Sequence, residues 1–111
     1  MTSTLMLPPI LSAMIAAHNA HDSATFTACF AEDAVVRDEG RIHFGKAVIQ
    51  AWFEDVTQKY QTVVGVTDLT YQDGEPVLTG NVSGTFDGSP IQLRYYAAID
   101  EGKIVALKIA P

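Results

Sequence analysis

The sequence predicts a single α+β domain spanning residues 1–111, on three observations. Apolar residues recur at helical spacing through the first sixty residues, at i, i+3, i+4 and i+7. Beyond Thr62 the period changes to two, and turn signals recur at Asp73-Gly74, Asp87-Gly88-Ser89-Pro90 and Asp100-Glu101-Gly102. A length of 111 residues allows one core and no second domain. Helices first and antiparallel strands after place the helices on one face of a sheet.

The first helix starts at Pro8 or Pro9, where a missing N–H costs little. Leu11, Met14, Ile15 and His18 then form one stripe, which puts His18 on the buried face. Two roles are open to it, a satisfied core histidine or a pocket residue. Leu5 to Ala17 is apolar enough to imitate the core of a signal peptide. It lacks a positively charged start and is too short to span a bilayer, so it reads as a packed helix.

Asp22 precedes Ser23-Ala24-Thr25 and is placed to cap a short second helix. Phe26, Cys29 and Phe30 form its buried stripe. Glu32-Asp33 breaks that pattern, and Ala34-Val35-Val36 is strand-like up to the turn at Asp38-Glu39-Gly40. Arg41-Ile42-His43-Phe44 is a second short strand or an extended loop. Gly45 opens the third helix, whose apolar side carries Val48, Ile49, Trp52, Phe53, Val56 and Tyr60.

The remaining turns divide Thr62 to Ala110 into a four-stranded meander. One strand places Ile91, Leu93, Tyr95, Ala97 and Ile99 on the helix-covered face and Arg94 and Tyr96 on the other. The last strand sets Val105, Leu107 and Ile109 against Ile104, Ala106 and Lys108. Gly80 and Gly84 share a face with Leu78, Val82 and Phe86, marking either sheet curvature or the close approach of another group.

A formal charge of −6 with scattered basic residues gives no footing for nucleic acid. The single Cys29 cannot form an internal disulfide, and His18, His21 and His43 show no metal-ligand spacing, so neither a metal nor a cofactor is expected. Hydrophobic residues make up 48% against 18% charged, which suggests apolar surface covered by a second copy. A homodimer is expected through the outer sheet face bearing Tyr96, Ala98, Ile104 and Ala106. No membrane partner is expected, and a cytoplasmic location is.

The stretch "AAHNAHD…FTACFAEDAVVRD", followed by "HFGKAVIQAWF" and closed by "DEGKIVALKIA", resembles the SnoaL-like group of the nuclear transport factor two-like superfamily, which includes steroid Δ-isomerases and polyketide cyclases. The resemblance covers nearly the whole chain. It implies a cone-shaped, cystatin-like fold: three N-terminal helices packed on a curved antiparallel or mixed sheet. It also implies a pocket for a small hydrophobic molecule. The fold hosts enzymes and non-enzymes alike.

In the steroid isomerases an aspartate at the end of the first strand moves a proton between carbons, while a tyrosine and a protonated aspartic acid stabilise the enolate. The resemblance places Asp38 at the base. It places Met14 and Phe53 where those enzymes carry tyrosines, and Tyr95 where they carry the protonated acid. One hydrogen-bond donor, Tyr95, is thus retained, and full steroid isomerase activity is not expected. An epoxide-hydrolase-like Asp–Arg–Asp set fails at Tyr96, beside Arg94.

The enzyme expectation is therefore a general base, Asp38, in an apolar cone with His18 and Tyr95 as hydrogen-bonding partners. Met14, Phe30, Trp52, Phe53 and Leu107 are the expected ligand-binding residues around one cavity. Apolar walls would raise the Asp38 pKa provided His18 is neutral or remote. The alternative is a non-catalytic ligand-binding or dimeric scaffold domain in which Asp38 is a surface turn carboxylate. A cavity of ~300 Å³ or more favours ligand binding.

Overall fold

The computed structural model describes residues 6–38 and 40–111. Its elements run α1 (Pro9–Asn19), α2 (Ser23–Ala28), β1 (Phe30–Asp38), β2 (Arg41–Phe44), α3 (Lys46–Tyr60), β3 (Val63–Gln72), β4 (Glu75–Ser83), β5 (Ile91–Asp100) and β6 (Lys103–Ala110). The six strands form one curved, open sheet in the order β2-β1-β6-β5-β4-β3, with the helices packed on its concave face. All ladders are antiparallel except β1 with β6, which is parallel.

Local chemistry accounts for most boundaries. Pro8 and Pro9 begin α1, where the chain needs no N–H. Asp22 caps α2, accepting from the Thr25 backbone N–H at 3.2 Å and from the Thr25 hydroxyl at 2.7 Å. The hydroxyl and amide both favour the ionised carboxyl, so the Asp22 pKa lies below its ordinary value. The two-residue turns Asp73-Gly74 and Glu101-Gly102 take positive φ at both positions, the mirror-image turn that matches strand twist.

The core lies between the concave sheet face and the helices. Leu11, Phe30, Ala34, Val36, Ile49, Leu78 and Ile104 have no exposed surface. On α3 the buried positions are Ile49, Phe53 and Thr57, while Val48, expected on the buried side, is 49% exposed. Thr57 fits the core because its hydroxyl donates to the Phe53 carbonyl at 2.9 Å.

Three sequence expectations are corrected. Phe30 begins β1 rather than completing the α2 stripe, because Cys29 ends the helix and the Ile104 N–H donates to the Cys29 carbonyl at 2.9 Å. Phe30 thereby pairs with Ile104, a tertiary contact that outweighs the local helical spacing.

Ile104 does not belong to the outer sheet face. Between the pairs Ile99–Ile104 and Ala98–Ala106 the β6 strand carries one extra residue, Val105. This β-bulge switches the alternation, so Ile104 joins Leu107 on the core side while Ala106 faces out.

Gly84 and Phe86 lie beyond the end of β4, in the loop to β5. A Cβ on Gly84 would sit 2.5 Å from the Tyr60 carbonyl oxygen, and one on Gly80 2.9 Å from Val64 Cγ1. Close approach fixes both glycines. A second β-bulge, between Val66 and Asp68, adds curvature opposite Gly80.

Candidate functional site

The concave face of the sheet, α1, α3 and the 84–90 loop border a half-open cavity of about 660 Å³. Helix α1 contributes Met14, Ile15 and His18 to its lining, and α3 contributes Trp52, Phe53, Val56 and Tyr60. The sheet contributes Asp38, Tyr95, Leu107 and Ile109, with Ile91 and Leu93 nearer the loop that carries Phe86 and Asp87.

Aromatic packing builds the inner wall. Phe26 stacks on Phe53 with ring centroids 3.9 Å apart, and Phe30 lies against Phe26 at 5.2 Å. Phe30, expected at the cavity, is absent from its lining and supports it from behind, with no exposed surface. Trp52 stacks on His43 at 5.2 Å, which steadies the wall on the β2 side.

Asp38 reaches the cavity through strand alternation. In β1 it lies two residues beyond Val36, which is fully buried on the core side. Cross-strand register then aligns Asp38 with Ile109 and Ile109 with Tyr95. Asp38 is half-buried on the cavity wall, at the last position of β1. A neighbouring cavity of about 520 Å³ shares Asp38 and is bordered by Arg37, Arg41 and Lys108.

Tyr95 is 5% exposed. Burial, and then the Asp38 carboxylate, push its phenol pKa well above the ordinary tyrosine value, so it stays protonated and can donate. Arg94 and Tyr96 lie on the opposite face, where Lys108 Nζ sits 5.7 Å from the Tyr96 ring centroid.

His18 faces the cavity from α1. Its Nε2 lies 2.8 Å from the Thr62 hydroxyl, and its ring stands edge-on to Phe53 at 5.2 Å. Burial lowers its pKa to about 4, with the nearby His21 adding to the shift and a hydrogen bond to the Thr62 backbone opposing it. The imidazole is therefore neutral at pH 7. His21 donates from Nε2 to the Thr62 carbonyl at 2.8 Å.

The structure thus brings Met14, His18, Asp38, Trp52, Phe53, Tyr95 and Leu107 to one cavity and leaves Phe30 outside it. Sequence reasoning missed Thr62, Tyr60, Phe86 and Asp87. Thr62 lies 44 residues from His18, and no local pattern links them. Among the described residues, no three His, Cys, Asp or Glu side chains come together as a metal-ligand set. No described helix is long and apolar enough to cross a membrane.

A helix-covered, half-open sheet around such a cavity defines the nuclear transport factor two-like class of α+β proteins. Within that class, the chain belongs to the SnoaL-like domain family, whose model matches residues 11–107. It is similar to a protein of Sinorhizobium meliloti named as a candidate polyketide cyclase, with 33% identity over 93% of this chain and 94% of that one and a TM-score of 0.89. Two further solved structures share the fold. A protein of Catenulispora acidiphila with a ketosteroid isomerase-like fold, in complex with trimethylamine, is 17% identical over 96% of this chain and 87% of that one, with a TM-score of 0.84. An uncharacterised cystatin-fold protein of Novosphingobium aromaticivorans is 19% identical over 97% and 100%, with a TM-score of 0.80. No curated protein matches the chain.

Proposed function

We propose that the cavity binds a small hydrophobic molecule and that Asp38 transfers a proton to and from its carbon framework, as an isomerase or cyclase would. The observation that carries this reading is a carboxylate on the wall of an apolar cavity, beside a phenol held protonated. The volume of about 660 Å³ lies within the roughly 300–1,000 Å³ of small-molecule sites.

In this reading Asp38 removes a proton from a carbon next to a carbonyl group. The electron pair moves onto the carbonyl oxygen, and Tyr95 donates a hydrogen bond to the enolate. The enolate then takes the proton back from Asp38 at another carbon, or attacks a second carbonyl to close a ring. On ring closure the second carbonyl's oxygen becomes an alkoxide that takes the proton from Asp38. Positioned proton transfer contributes ~10²–10⁴ in rate, and one oxyanion donor ~10²–10³.

Deuterium uptake from D₂O into a bicyclic aromatic ketone or a 3-ketosteroid tests the reading. Asp38→Asn should lower the exchange rate by ~10²-fold or more, with ligand binding retained. Equal exchange in wild type and Asp38→Asn would leave a non-catalytic binder. Met14 and Phe53, apolar residues on the cavity wall, are the observation that favours that second reading.

We also propose that two copies pair through the outer sheet face. Its edge strand β2 presents Ile42 and Phe44, 62% and 64% exposed, next to Val35, Ala106 and Ala98.

A further inference from the structure

We propose that His18 and Thr62 act as one hydrogen-bonding anchor for an uncharged oxygen acceptor, a ketone or ether oxygen, at a subsite distinct from Asp38 and Tyr95. The proposal rests on the reading of the cavity as a ligand site and names the class of ligand it takes.

A count of protons carries it. A neutral imidazole has one N–H, and a threonine hydroxyl has one O–H. Their 2.8 Å contact consumes one of these two hydrogens, whichever way it points. The other remains, on the second ring nitrogen or on the hydroxyl. Among the described residues the other partner of the pair is the Thr62 backbone. Its carbonyl accepts from the His18 ring and so turns the ring N–H towards Thr62, leaving the hydroxyl hydrogen as the spare one. Both groups line the cavity, so the spare donor serves whatever enters it.

The pair is held in place. The Thr62 carbonyl accepts from His21 at 2.8 Å, and two residues on, the Val64 backbone is gripped by the Asn19 side chain. Thr62 is 5% exposed, and the His18 ring is set edge-on to Phe53 and Phe26. A donor fixed before the ligand arrives loses little entropy on binding. Strands β6, β5 and β4 separate the β3 end that carries Thr62 from β1 and Asp38, so the two polar groups read different parts of one ligand.

The surroundings specify an uncharged partner. The described lining includes two carboxylates, Asp38 and Asp87, and no lysine or arginine. His18 adds no positive charge at neutral pH, because burial disfavours its protonation. At the His18–Thr62 end an anionic head group would meet no counter-charge, because Arg37, Arg41 and Lys108 border the neighbouring cavity on the Asp38 side. An apolar wall penalises an unpaired charge.

Three isosteric probes test this: 2-acetylnaphthalene, 2-ethylnaphthalene and 2-naphthoate, titrated by isothermal calorimetry. The ketone should bind roughly 3–10-fold more tightly than the hydrocarbon, the worth of one hydrogen bond. The carboxylate should bind more weakly than either. In the double variant His18→Phe/Thr62→Val, which has no proton to give, the ketone-to-hydrocarbon ratio should fall to about one.

A readout on the unaltered protein guards against a variant that fails to fold. The His18 ring ¹⁵N resonances should respond differently to the ketone and to the hydrocarbon. Equal affinity for ketone and hydrocarbon in the wild type overturns the anchor alone. So does a ratio that survives the double variant and collapses in Tyr95→Phe, which assigns the donor to Tyr95. Tight binding of 2-naphthoate overturns the uncharged class. Failure of all three probes overturns the cavity reading itself.

Discussion

Asn19 and Val64 grip one another at two points: the Asn19 amide donates to the Val64 carbonyl at 2.9 Å, and the Val64 N–H donates to the Asn19 side-chain oxygen at 2.8 Å. The clamp joins the last residue of α1 to the start of β3, and Val64 itself is buried. Asn19→Ala leaves both backbone groups to find other partners, and urea denaturation should show a loss of about 1–2 kcal/mol. The substitution should also loosen the His18–Thr62 contact, seen as a change in the His18 ring ¹⁵N resonances.

Acid should weaken the fold through His18. Its pKa is 6.5 in the unfolded chain and about 4 in the folded one, so between these values the unfolded state binds the extra proton. Stability therefore falls as pH drops from 6.5 towards 4, by up to ~3 kcal/mol from this group, and is fully present above 6.5. Asp22 and Glu54, both held below their ordinary carboxyl values by side-chain hydrogen bonds, lose their contribution lower in the acid range. Urea midpoints between pH 7 and 4.5 should decline less steeply in His18→Gln than in the wild type.

Core and wall residues should separate by what they damage. Phe30 is fully buried behind the cavity, and Phe30→Ala should cost about 3–5 kcal/mol of stability. Trp52 is half-buried on the cavity lining, and Trp52→Ala should cost less stability and more affinity for a naphthalene probe. Thermal denaturation and calorimetry on the two variants check the contrast.

If the outer sheet face pairs two copies, charge at its edge should part them. Ile42→Glu with Phe44→Glu places two like charges where each copy would meet the other. Sedimentation velocity should show a 24 kDa species, twice the 12.0 kDa chain, in the wild type and the single chain in the variant. A 12.0 kDa species in both excludes the pairing.

Much of the fold was legible because its signals are local. The Asp22 cap, the Asp73-Gly74 and Glu101-Gly102 turns and the stripe through Leu11 and Met14 each depend on residues a few positions apart. The inward Tyr95 followed from alternation along one uninterrupted strand. Phe30 and Ile104 were misplaced because their positions depend on each other across the parallel β1–β6 pairing, and the bulge at Val105 has no signature in its own residues.

The candidate site was legible only in part. Asp38 and Met14 could be placed by resemblance and His18 by helical spacing. The cavity's volume and the Thr62 partner could not, because they arise where α1, α3, the sheet and a loop meet.

The parallel pairing of β1 with β6 also sets a timetable. Val35 meets Ala106 about 70 residues further along the chain, so the sheet cannot close until the meander between them exists. During synthesis β1 and its hairpin partner β2 leave the ribosome early, with one long edge unpaired. Such non-local contacts form slowly, and a waiting strand edge invites the wrong neighbour. The strand that carries Asp38 is therefore exposed to misassembly for most of the time the chain takes to be made.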